Sequence, residues 1–149
     1  MTTDTVSAPL EILVVDDNED DVLLLRESLR DMPAVTLLHA CDGDDAIAFL
    51  RREGSYATAP RPGLVLLDIN MPRKNGFEVL AAMKKDPELR AIPVIMLTTS
   101  NRDADVVTAY SYGACSFVTK PVNFDRLKLI ATHFVDYWTT VVRIPRARD

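Results

Sequence analysis

The stretch EILVVDDN, residues 11–18, is an apolar run that stops on the paired acids Asp16 and Asp17. Short runs rich in Val, Ile and Leu suit strands buried on both faces of a parallel sheet. The same pattern returns three times along the chain. LVLL (64–67) precedes Asp68, VIML (94–97) precedes Thr98, and SFVT (116–119) precedes Lys120. Between these runs the spacing turns helical, as in Val22, Leu25, Leu29 and Met32, with Asn18 as a cap and Glu19, Asp20 and Asp21 in the first turn. Strands are expected at 10–15, 35–40, 64–68, 93–98 and 116–119. Helices are expected at 19–31, 44–53, 76–85 and 102–112, with a last one starting near Asn123. Gly113 suits a left-handed helix stop, and GSYATAPRPG (54–63) reads as a loop. Strands alternating with helices, without an internal repeat, give a doubly wound α/β domain with right-handed crossovers.

In such open sheets, ligands bind beyond the carboxyl ends of the strands. Three carboxylates (Asp16, Asp17, Asp68), the hydroxyl of Thr98 and the ammonium of Lys120 are therefore aimed at one sheet edge. Taken singly, an Asp after a strand is most often a turn or cap residue, and a Lys is a solvated charge. Their joint placement carries the chemistry. A carboxylate can attack phosphorus to form an acyl phosphate, provided a hard cation and fixed donors neutralise the phosphoryl oxygens. Magnesium takes near-octahedral oxygen ligands, commonly one or two carboxylates plus phosphate and water.

Composition sets outer bounds. A 149-residue chain with 48% apolar and 26% charged residues fits one ordinary domain with its own core. A net charge of −5 argues against nucleic acid as a partner. No apolar stretch approaches the roughly 20 residues of a membrane span, and the N-terminal MTTDTVSAP lacks the regions of a signal peptide. Cys41 and Cys115 stand in no metal or redox spacing, so two buried thiols in a reducing, cytoplasmic setting are expected. His39 and His133 have no ligand-spaced partner and read as structural.

The set resembles the receiver domain of two-component response regulators. The match is carried by the acidic pair in VVDDN, Asp68 in LLDINMPRKNG, Thr98 in MLTTS and the Lys-Pro of VTKP, at receiver-like separations. It covers about 10–142, leaving 1–9 as a disordered N-terminus and 143–149 as a C-terminal tail. The resemblance implies a flavodoxin-like (βα)5 sandwich with strand order 2-1-3-4-5 and a cis Lys120–Pro121 peptide. It implies that Asp68 is the phosphoacceptor and that Asp17 ligates magnesium directly. Asp16 then acts through metal-bound water, and the carbonyl of Asn70 completes the protein ligands. Thr98 and Lys120 would contact the phosphoryl oxygens, with Thr98 and Phe117 as switch residues. The loop at 54–63, the DPELRAIP run and a long last helix with a Trp are similar to stand-alone regulators paired with phytochrome histidine kinases.

Two other classes compete. An aspartate-nucleophile phosphatase of the haloacid dehalogenase type needs a second Asp two residues after the nucleophile, where this chain has Asn70. An amide takes no proton from water, so enzymatic turnover is not expected. A phosphorylation-independent binding module would not need the full set. Beyond Lys120 there is room for one helix and a tail, so output is expected through a surface of this domain. In that helix Leu127, Ile130, Phe134 and Val141 make one apolar stripe, while Phe124, Ala131, Val135, Trp138 and Val142 make a second. A single face suffices for core packing. The second stripe therefore points to a homodimer through the last helix and the segment after it.

Overall fold

In the computed structural model, which describes residues 9–145, all five expected strands form within one residue of their expected ends. They are β1 (Leu10–Val15), β2 (Val35–Ala40), β3 (Leu64–Leu67), β4 (Val94–Thr98) and β5 (Ser116–Thr119). The helices are α1 (Glu19–Leu29), α2 (Gly43–Arg51), α3 (Gly76–Lys85), α4 (Asp103–Ser111) and α5 (Phe124–Asp136). All strand pairs are parallel, in the order β2-β1-β3-β4-β5. The sheet is thus covered by helices on both sides, as parallel sheets require.

Alternation within the apolar runs splits the core in two. Ile12, Val14, Leu64, Leu66 and Ile95 face α1 and α5. Leu13, Val15, Val65, Leu67, Val94 and Met96 face α2, α3 and α4. Side-chain oxygens close the helix starts: Asn18 accepts from the N–H groups of Asp20 and Asp21, Asp42 from Asp45, Asn75 from Glu78 and Asn123 from Arg126. Gly113 follows α4 at φ +102°, a conformation that glycine adopts without strain. The 54–63 segment is not a bare loop. Gly54–Tyr56 is a turn of 3-10 helix, and Tyr56 stacks on Phe49 at 5.2 Å while its hydroxyl donates to Asp45 at 2.6 Å.

Three expectations are corrected. Cys41 and Cys115 are exposed, because each lies in a loop next to a strand end rather than within the sheet. The Lys120–Pro121 peptide is trans, the form an X–Pro bond favours by about 0.5–1 kcal/mol; no described peptide bond is cis. The last helix does not have two independent stripes. Ala131 and Val135 of the second stripe are buried against the sheet and α1, and Leu127, Phe134 and Trp138 pack beside them. Residues at i, i+3, i+4 and i+7 merge here into one broad inward face. The α-helix ends at Asp136, and Tyr137–Val141 continue as a π-helical turn. Phe124, Leu129, Tyr137 and Val141 remain exposed. The expected N-terminal disorder and the end of the tail fall on residues 1–8 and 146–149, outside the described residues.

Candidate functional site

Backbone pairing lines the key residues up along one edge. Asp16 N–H donates to the Ala40 carbonyl (3.1 Å), Asp68 N–H to that of Val15 (3.0 Å), and Lys120 N–H to that of Thr98 (2.7 Å). Each residue therefore starts its loop in step with the neighbouring strand, and the side chains converge. Asp16 and Asp68 are buried while Asp17 is exposed, and one oxygen from each of the three lies within 4.8 Å of the others. This donor set, all carboxylate oxygen and open on the Asp17 side, fits a hard divalent cation.

The carboxylates are oriented locally. Ile69 N–H donates to Asp68 Oδ1 at 2.8 Å, and Asn18 N–H donates to Asp16 Oδ1 at 2.9 Å. His39 Nε2 sits 2.8 Å from the Asp16 carbonyl oxygen, bracing the same turn from β2. Lys120 Nζ donates to Asp16 at 2.6 Å, to Asp21 at 2.8 Å and, more loosely, to Asp68 at 3.4 Å. Burial pushes the Asp16 carboxyl above its ordinary value, and it outweighs the hydrogen bonds from Lys120 and from Asn18 N–H. Burial works against the Lys120 ammonium, but hydrogen bonds to Asp16 and Asp21 reverse that and hold its pKa well above the ordinary value.

Thr98 is fully buried at the end of β4, and its hydroxyl accepts from Ser100 N–H at 3.4 Å. Phe117 is half-buried in β5, packed on the core cluster shared with α2 and α3. Asn70 is exposed two residues beyond Asp68. Its loop is tied to the β2–α2 turn by ion pairs from Arg73 to Asp42 (2.8 Å) and from Lys74 to Asp44 (3.5 Å). Tyr112 pairs edge-on with Phe77 of α3, centroids 6.0 Å apart.

Asp21 was missed by the sequence reading. It reads there as a first-turn acid that favours the helix dipole. Nothing in its spacing reveals that the Lys120 side chain, from just beyond β5, reaches the first turn of α1. The Ser100 contact was equally hidden: its hydroxyl donates to Asp105 at 2.5 Å, and Arg102 closes the same carboxylate from the other side at 3.1 Å.

Residues 12–132 match the response regulator receiver domain. The response regulator Rcp1 of Synechocystis sp. (PCC 6803) is 38% identical, over 97% of this chain and 99% of its own. The crystal structure of the phosphorylated cyanobacterial phytochrome response regulator RcpA superposes with a TM-score of 0.89 at 38% identity, covering 93% of this chain and all (100%) of the other. The Mn(2+)-bound form of Rcp1 gives 0.86 at 38% identity, with the same coverage, 93% and 100%. By sequence across the sheet and its helices, and by fold, the chain belongs to the family of response regulator receiver domains.

Proposed function

We propose that Asp68 accepts a phosphoryl group from the phosphohistidine of a histidine kinase and that the chain signals through the resulting change in its surface. The P–N bond of the donor breaks, its electron pair returning to the imidazole, while an Asp68 carboxylate oxygen forms the new O–P bond. Water later attacks that phosphorus and restores the carboxylate. The observation that carries this reading is the Lys120 ammonium, only 12% exposed, set between Asp16 and Asp68 at the mouth of the carboxylate trio.

Magnesium is the cation proposed for the trio; when bound it would neutralise the phosphoryl oxygens and orient the incoming group. Asp17, the most accessible of the three, would ligate it directly, Asp16 would act through bound water, and Asp68 and the carbonyl of Asn70 would complete the set. Lys120 and Thr98 hold the phosphoryl oxygens, and Thr98 with Phe117 forms the switch. Asn70 is an amide and the Ser100 hydroxyl is engaged by Asp105, so neither of these two flanking residues serves as a base for water. Hydrolysis is then slow, and the protein is a switch rather than a turnover enzyme.

The kinase is proposed to be a phytochrome, on the strength of the likeness to RcpA along nearly the whole chain. The domain is proposed to extend over 10–142, to act in the cytoplasm without nucleic acid or membrane, and to form a homodimer through α5 and the segment after it. No described helix is long and apolar enough to cross a membrane. The central test is to incubate wild type and Asp68→Asn with acetyl phosphate and magnesium and weigh the intact proteins. One added phosphoryl group is expected on wild type and none on the variant; equal labelling overturns the assignment.

A further inference from the structure

We propose that Asp21 is a positioning residue for phosphoryl transfer, holding the Lys120 ammonium on station when its other two carboxylate partners turn to the cation and the phosphoryl group. The inference rests on the reading of Asp68 as phosphoacceptor.

Lys120 Nζ has three N–H donors and, in this structure, three carboxylate acceptors. Two of these, Asp16 and Asp68, also belong to the trio that converges on the metal position; Asp21 does not. Once cation and phosphoryl group claim Asp16 and Asp68, Asp21 is the remaining anchor at 2.8 Å. A lysine side chain is a flexible four-carbon stem carrying a point charge, so its aim depends on what tethers it. The cleft beside Lys120 is walled by Val22, Leu25, Leu97 and Leu127, which offer no side-chain acceptor, and its acidic groups are Asp16 and Asp21.

Asp21 is itself rigidly presented. Its N–H is bonded to the Asn18 side chain, and Asn18 N–H is bonded to Asp16 Oδ1. The anchor and the metal-side carboxylate are thus built on one turn, and the distance between them is set by backbone rather than by a long side chain. An anchored ammonium costs little reorganisation as charge spreads over the phosphoryl oxygens, which is where fixed donors act most strongly.

The test measures labelling rate by intact mass against acetyl phosphate concentration, at saturating magnesium. The chains compared are wild type, Asp21→Asn, Asp21→Glu and Asp20→Asn. For Asp21→Asn a maximal rate lower by about tenfold is expected, with the half-saturating phosphodonor concentration and the calorimetric magnesium affinity changed by less than about twofold. Asp21→Glu, which restores the charge, should recover most of the rate. Asp20→Asn, which removes an exposed charge one residue away, should behave as wild type. Thermal melts of all four confirm that each is folded. An unchanged rate in Asp21→Asn, an equal loss in Asp20→Asn, no recovery in Asp21→Glu, or a parallel loss of magnesium binding each overturns the proposal. If Asp68→Asn still labels, the phosphoacceptor assignment fails and this proposal with it; a wild type labelled on Asp68 beside an unaffected Asp21→Asn sinks this one alone.

Discussion

Gly76 packs its Cα directly against the backbone of Asp68. A methyl group built at Gly76 would overlap the Asp68 carbonyl oxygen and lie 2.9 Å from both the Asp68 carbonyl carbon and the Ile69 Cα. The contact is closed by Gly76 N–H donating to the Ile69 carbonyl at 2.9 Å. The loop that carries Asp68 and Asn70 therefore folds back on its own origin, and the first residue of α3 is the point of return.

Gly76→Ala is expected to destabilise the protein by roughly 1–3 kcal/mol, the usual cost of overpacking, because the obstructing atoms are backbone and cannot rotate away. The same change should slow labelling of Asp68, since the displaced carbonyl belongs to the proposed phosphoacceptor. Urea denaturation together with the acetyl phosphate assay checks both. A stability change under about 0.5 kcal/mol with normal labelling would show that the loop yields easily.

Magnesium should raise the melting temperature of the wild type. A ligand that binds only the folded state stabilises it by about 2.7 kcal/mol at one hundred times its dissociation constant. The trio that would hold it includes two buried carboxylates, and burial holds the Asp16 carboxyl above its ordinary value. Asp17→Asn should remove most of the rise while leaving the metal-free protein folded, because Asp17 is exposed. A melting response to magnesium that survives this change intact places the cation elsewhere.

The carboxyl of Asp105 is held below its ordinary value of 3.8, first by its hydrogen bond from Arg102 and then by that from Ser100. A folded-state pKa below the unfolded one gives stability that is fully present above the unfolded value and is lost as pH falls through the folded one. Asp105→Asn should therefore melt earlier than wild type at neutral pH, with the gap narrowing below about pH 4 and closing at lower pH. Melting temperatures of both proteins across that range decide it. A gap that stays constant with pH would mean that packing, and not the charge, is what the side chain contributes.

Elements that announce themselves by composition were legible in the sequence. The apolar runs before Asp16, Asp68, Thr98 and Lys120 placed four strands, and the strand ends placed the site, because in a parallel sheet the backbone bond from Lys120 to Thr98 follows once the strands are neighbours. What the sequence hides is contact between elements far apart in the chain. Asp21 looks like any first-turn acid until the Lys120 side chain is seen to reach it from the other end of the chain. Gly76 looks like a helix start until the loop from Asp68 closes on it. The stripes of α5 were separable on paper only because a helical wheel does not show how wide a face the sheet and α1 together will cover.

That correction moves the surface proposed for a dimer. Val135 is 7% exposed and sits in the core, so Val135→Glu should unfold the chain rather than split two copies. Exposed apolar residues along α5 and the turn after it include Phe124, Leu129, Tyr137 and Val141, with Tyr137 edge-on to Trp138 at 5.5 Å. Burying one large apolar side chain contributes roughly 1.5–3 kcal/mol, so a two-fold contact that covers Tyr137 and Val141 on both copies would be substantial. Tyr137→Glu with Val141→Glu is expected to give a folded monomer that still labels on Asp68, since neither residue is buried and neither approaches the site. Sedimentation at several concentrations, with and without phosphorylation, reads the outcome. Wild type that stays monomeric at high micromolar concentration in both states removes the dimer, and the signal must then leave through a surface that meets a different chain.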